Sequence, residues 1–236
     1  MALAPVQSNT DSAGGYDSTT LAYLSNVTAG NLLTCSGAVW NGSEVTSITI
    51  TDTLGSTWTV ILSTNVSGGA PHKTWIGYAI APSSGANTVT IDPNGGGRYS
   101  SHGVAEWSGP HATPLDVDGG TSTGSSTSAS DGITTTDPDA LVIEVMSQGS
   151  GGNHSLTADT GGGWTMLTEN ENAGNAPYAT QYQIFSGSAG AKTATITIGA
   201  SVAWVAQTVS FKPAGAATGK GMLLIPGQLL TPFLVR

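Results

Sequence analysis

Charge is scarce in this chain, sulfur scarcer still, and helical periodicity is nearly missing. Charged residues are 9% of the 236, against about a quarter in an ordinary soluble domain. The six cations (Lys73, Arg98, Lys192, Lys212, Lys220 and Arg236) are scattered, and the formal net charge is −9. Binding a phosphate backbone needs a clustered basic footprint, so nucleic acid is not an expected partner. A single cysteine, Cys35, excludes an intrachain disulfide and a cysteine-based zinc site. Its setting, LLTCSGAVW, suits a buried thiol acting as a small hydrophobe. The opening MALAPVQSNTDSAGGYDS has neither the basic nor the apolar region of a secretory leader. That fits either a leader already removed or a virion component, which leaves its host by lysis.

What the chain has in quantity is Gly (33), Thr (33) and Ser (27), the palette of a many-turned β protein. Short runs such as SITITDT, STWTVIL, TWIGYAIA, NTVTI, ALVIEVM, ATQYQIF and TATITI alternate or are β-branched, and Gly, Asn, Asp, Ser or Pro bounds each one. About ten to twelve strands follow, in the pattern of an all-β sandwich.

TDTLGSTWTVIL (51–62) is echoed by TADTGGGWTMLT (157–168), and WIGYAIAPSSGANTVTI (75–91) by TQYQIFSGSAGAKTATI (180–196). Trp58/Trp164, Tyr78/Tyr182 and Ile91/Ile196 keep an offset of about 105 residues, the mark of an internal repeat. The expected fold is a jelly-roll-like antiparallel β-sandwich built from two repeated halves, with an extended C-terminal tail; two tandem small sandwiches are the alternative. The divisions read as an N-terminal arm (1–19), a first β half (20–116), a Gly/Ser/Thr-rich crossover or linker (117–139), a second β half (140–212), a flexible spacer (213–220) and an apolar tail (221–236).

The strings SNVTAGNLL, SSGANTVTI, VAEWSGP with TPLD shortly after, and WVAQTVSFKPAG resemble an uncharacterised family of jelly-roll or lectin-like β-sandwich modules. Such modules occur in phage structural proteins and in bacterial secreted and surface proteins. The resemblance covers about residues 20–215. It implies a fold, with no catalytic residues to carry over.

Candidate chemistry is thin. His72, His102, His111 and His154 show no metal-ligand spacing. A glycoside hydrolase needs two carboxylates across one cleft; no strand carries such a pair, and Glu106 and Glu144 could meet only across strands. Asp116 and Asp118, in PLDVDGG, have an i, i+2 spacing that calcium loops use, but the remaining ligands of an EF-hand are missing and a plain Asp/Gly turn is the simpler account. Calcium is the one cofactor this leaves open. Trp58, Trp75, Trp107, Trp164 and Trp204 lie in strand-like runs suited to packing. Trp40, beside Asn-Gly, is the tryptophan expected at an exposed loop tip and the candidate for stacking on a sugar.

The tail GMLLIPGQLLTPFLVR is too short for the roughly twenty residues of a spanning helix, and Pro226 and Pro232 would interrupt one. An apolar extended segment left in water is an aggregation hazard. Met222, Leu223, Leu224, Ile225, Leu229, Leu230, Phe233 and Leu234 are therefore expected to dock on other structural subunits or on another copy of this chain, with folding back onto the chain's own sandwich as the alternative. The composite expectation is a non-enzymatic structural protein displayed on a particle, such as a phage head decoration, minor capsid or tail-associated protein. A secreted or cell-surface carbohydrate-binding or adhesin module is the alternative.

Overall fold

The computed structural model describes residues 2–11, 15–16, 18–40, 45–66, 71–94, 99–149, 152–172 and 176–215. These are almost wholly antiparallel β-structure. The first unit contains β1 (Ala4–Thr10), β2 (Gly15–Tyr16), β3 (Thr19–Ala22), β4 (Leu32–Trp40), β5 (Ile48–Asp52), β6 (Thr59–Leu62), β7 (His72–Ile80), β8 (Thr88–Pro93) and β9 (Tyr99–Ser108). The second contains β10 (Pro110–Thr135), β11 (Leu141–Gln148), β12 (Leu156–Ala158), β13 (Thr165–Asn170), β14 (Tyr178–Ile184) and β15 (Gly190–Pro213).

In the first unit the large sheet runs β1-β9-β4-β7-β6, and a small sheet β3-β8-β5 covers one face of it. In the second, the large sheet runs β10-β15-β11-β14-β13. Here two long strands serve both layers. Residues 110–126 of β10 pair with the 202–213 end of β15 in the large sheet, while residues 128–135 pair with 190–197 after a register shift at Ser126/Ser128. Strand β12 adds to that second segment through Ala158↔Ile196. The strand order within each unit is that of a jelly roll. The repeat is thus two tandem jelly rolls, one per half.

Strand register shows how deep the repeat runs. Thr59 pairs with Tyr78 in the first unit, and Thr165 with Tyr182 in the second. Leu32 pairs with Trp107, and Leu141 with Phe211. Even a bulge recurs, between Pro5/Gln7 in β1 and between Leu115/Val117 in β10. The D-x-x-G turns recur as well: the Asp52 carboxylate accepts from Ser56 N–H at 2.9 Å, and Asp159 accepts from Gly162 N–H at 2.9 Å. Gly55 (φ +73°) and Gly163 (φ +87°) supply the left-handed backbone that these turns require.

Alternation along each large-sheet strand sends residues to two different cores. On one face, Leu32, Ile76 and Trp107 of the first unit pack against Leu141, Ile143, Tyr178 and Phe211 of the second. On the other face, each unit seals its own interior. In the first unit this holds Leu33, Cys35, Trp75, Val89, Ile91 and Val104. The second unit has two pockets of packing, Met146 with Ile196 and Ala206, and Val142 with Ile133 and Trp164. The molecule is therefore four β layers deep.

Two expected boundaries are corrected. Residues 4–10, assigned to an arm, form β1, which pairs with β9 and belongs to the first unit. Residues 117–139, read as a crossover or linker, are for the most part strand β10. Their inward positions alternate as buried Ala129, Asp131, Ile133 and Thr135. Two of the four are polar, so apolar periodicity alone does not reveal the strand, although β-branched Thr favours it.

Candidate functional site

The two units meet along two seams, each marked by a tyrosine of the repeat. Tyr78 of β7 meets Phe211 of β15 edge-on, with ring centroids 5.3 Å apart. Tyr182 of β14 meets Trp107 of β9 in the same way at 4.9 Å. A groove opens beside each. The larger, of about 400 Å³, is lined by Gly55, Thr57, Tyr78–Ile80 and Pro82 of the first unit and by Ala112–Leu115 of the second. The smaller, of about 310 Å³, is lined by Pro5–Ser8, Trp107, Thr165–Leu167 and Tyr182.

At the smaller groove the first unit reaches over to the second: Thr10 Oγ1 donates to the Glu169 carbonyl at 3.2 Å, and Asn170 Nδ2 donates to the Asp11 carbonyl at 3.2 Å. The larger groove carries no charged side chain, and Ala112 and Thr113 stand exposed on its rim. Its β10 wall includes Pro114, and Pro110 opens the same strand. Proline lacks an N–H, which blunts this edge as a template for strand pairing. What the groove offers is a largely apolar bed for side chains, with the Tyr78 hydroxyl as its one titratable group among the lining residues.

The carboxylates considered for a cleft do not meet. Glu106 is buried on the face of β9 that also carries Val104, inside the first unit. Its oxygens accept from Gln7 Nε2 at 2.6 Å, Asn31 Nδ2 at 2.6 Å and Thr28 N–H at 2.8 Å. Glu144 is buried on the face of β11 that carries Val142 and Met146, inside the second unit. The shared inter-unit core and both large sheets separate them. Gln181 Nε2 donates to Glu144 Oε2 at 2.6 Å, while Oε1 has no hydrogen-bond partner. Burial pushes the Glu144 carboxyl well above the usual carboxylate range. Asp131, on the covering layer opposite, accepts from Ser122 Oγ at 2.6 Å and Thr208 Oγ1 at 2.8 Å.

Asp116 and Asp118 lie on β10. The Asp116 carboxylate is taken by the Thr136 hydroxyl, by Thr136 N–H at 3.0 Å and by Ser210 Oγ at 3.0 Å. Asp118 caps Gly120 N–H at 3.0 Å. Both are local turn and staple contacts. Among the described residues no group of three or more His, Cys, Asp or Glu is placed to hold a metal.

Trp40, expected at an exposed loop tip, is instead the half-buried last residue of β4. It pairs with His72 on one side and Tyr99 on the other. Its ring stacks on Tyr99 at 5.6 Å and lies 6.2 Å from the His72 ring. The histidines are dispersed. His72 and His102 are buried, and His111 Nδ1 closes a turn with Thr113 N–H at 3.0 Å. The docking residues Met222 to Leu234 lie outside the described residues. No helix among the described residues is long and apolar enough to cross a membrane.

The seam grooves were not anticipated from the sequence. Their walls come from segments far apart in the chain; the one local hint is the pair Tyr78/Tyr182, whose equivalence the repeat does expose. Comparison with family models, curated proteins and solved structures returned no match to this chain.

Proposed function

We propose that this protein is a non-enzymatic structural protein whose tandem sandwich is displayed on a particle, most concretely as a phage virion component, and is held there by its C-terminal segment. The observation that carries this reading is a pairing of opposites. Among the described residues both units fill their interiors with packed side chains and bury Glu106, Asp131 and Glu144 within them, whereas grooves stay open at the seams, the larger of them without a charge. The sequence beyond Gly215 then adds a Gly/Ala spacer and a sixteen-residue segment whose only charge is Arg236. A rigid body with hydroxyl-rich outer strands and a separate apolar segment has the division of labour of a tethered decoration or tail-associated subunit.

The alternative, a secreted or cell-surface carbohydrate-binding or adhesin module, draws on the aromatic row His72, Trp40 and Tyr99. In that row Tyr99 already occupies one face of the indole, which weakens it as a sugar platform.

Removing residues 221–236 is expected to leave a folded, soluble tandem sandwich and to abolish incorporation into the particle. The readouts are circular dichroism of the purified chain and its co-purification with intact virions. Normal incorporation of the shortened chain would overturn the assignment.

A further inference from the structure

Resting on the assembly reading above, we infer that the larger seam groove is the receptor for the apolar run Met222–Ile225 of a second copy of this chain. Groove and run match in chemistry. Tyr78, Ile80, Pro82, Ala112, Pro114 and Leu115 line a bed of about 400 Å³ without a charge, and the run MLLI is four apolar residues without a charge or a proline. In extended conformation alternate side chains point to opposite sides, so one pair enters the bed while the other faces outward. The volume sits at the low end of the range of about 300–1,000 Å³ typical of ligand pockets, which suits one short run.

Chain direction favours the second copy over the same chain. Strand β15 runs antiparallel to β10, with Pro213 opposite Pro110, and Ala214 N–H donates to the Gly109 carbonyl at 2.8 Å. At Gly215 the backbone is thus heading away from Ala112–Leu115, which lie further along β10 in the opposite direction. Residues 216–220 extend at most about 17 Å. Entering its own groove would demand a full reversal within that reach, whereas a neighbour's groove can lie ahead of the exit. A groove and a segment from different parts of the chain make a head-to-tail contact, which builds rings or filaments from identical subunits.

Complementation in the full-length chain tests this. One variant, Leu223→Asp with Leu224→Asp, keeps the groove and loses the segment. The other, Ala112→Arg, keeps the segment and obstructs the groove from its exposed rim, with Thr113→Arg as a second obstruction should the first fail to fold. Sedimentation over a hundredfold concentration range should show the unaltered chain self-associating and each variant remaining monomeric. The equimolar mixture should form a dimer that grows no further. Val6→Arg, at the smaller groove, where Val6 is 49% exposed, should leave association unchanged. An unaltered chain that stays monomeric, an Ala112→Arg chain that associates within tenfold of it, or a mixture that stays monomeric would each overturn the groove assignment. If Ala112→Arg joins particles normally while the segment variant does not, the groove inference falls and the assembly reading stands. If the segment variant also joins normally, the assembly reading falls.

Discussion

In the first unit, Cys35 of β4 lies between Gly77 of β7 and Val104 of β9; at the equivalent place in the second, Glu144 of β11 lies between Gln181 of β14 and Thr208 of β15. The same position in the same strand order is apolar in one unit and polar in the other. The covering layers compensate for the change. Ile50 leans onto Gly77 so closely that an added Cβ would sit 2.2 Å from its Cδ1. Its counterpart in the second unit is Ala158, which pairs with Ile196 as Ile50 pairs with Ile91, and this leaves room for Gln181. Likewise Leu21 in β3 gives way to Asp131 in β10. Each interior exchanges large and small residues between its two layers, as close packing requires. A polar filling carries a further demand, since every buried donor and acceptor needs a partner. The second unit falls short at Glu144 Oε1 and Gln148 Oε1, both on β11, and at Thr168 Oγ1.

The harshest way to break this comparison is to move the acid across. Cys35→Glu would bury a carboxyl among Leu33, Trp75 and Val104, where no side-chain amide stands ready. Burying an unpaired acid costs several kcal/mol, and about 4 kcal/mol is a large share of a typical domain's stability. The expected result is loss of most soluble protein, or a urea midpoint far below that of the unaltered chain. Adding Gly77→Gln and Ile50→Ala, which rebuilds the second unit's layer, should recover part of the loss. An unchanged midpoint in the single variant would mean that the two interiors do not differ in the way described.

A milder test uses pH. His102 sits inside the first unit, its Nδ1 3.2 Å from Thr19 Oγ1 and its Nε2 without a partner. Burial lowers its pKa from 6.5 to about 4. Between those values the unfolded chain takes up a proton that the folded chain refuses, so stability is complete near neutral pH and falls as pH drops from about 6.5 towards 4. At about 1.4 kcal/mol per pKa unit the loss approaches 3 kcal/mol at the acid end. The second unit has Ala206 at the equivalent position and so lacks this titration. His102→Leu should flatten the acid limb of a plot of urea midpoint against pH; a limb of unchanged steepness would place the proton elsewhere.

How much of this was legible beforehand follows from what each residue announces about its neighbours. The repeat was readable because Trp58, Tyr78 and Ile91 hold structural positions that recur with the same register. Strand β10 escaped notice because Asp131 and Thr135 occupy inward positions that a reading of apolar periodicity expects to be hydrophobic. Trp40 was misplaced because the Asn-Gly after it suggested a hairpin tip, while the rings that flank it sit 32 and 59 residues further on. Glu106 gave no sign of its role, since Gln7 and Asn31, which hold it, lie 99 and 75 residues away. A lone acid in a strand reads the same whether it faces a cleft or a sealed core.

The smallest expected effect concerns the acid already in place. Burial raises the pKa of Glu144 above that of the same group in the unfolded chain. The sign is therefore opposite to that of His102: between the unfolded and folded values the folded chain holds the extra proton, so stability falls as pH rises through that window. Glu144→Gln keeps the shape, keeps an oxygen for the Gln181 amide at its 2.6 Å contact, and turns an N–H towards the side where Oε1 now lacks a partner. Asp131 lies close enough for its charge to help raise the Glu144 pKa, and its carboxylate has lone pairs beyond the two already engaged by Ser122 and Thr208. The variant should gain stability at pH 8, where the unfolded chain's acid is charged and burial opposes that charge, and show little gain at pH 4, where both states largely hold the proton. Urea midpoints at the two pH values measure it. Equal gains at both would trace the benefit to packing, and a loss at both would mean that the carboxyl serves the second unit as it is.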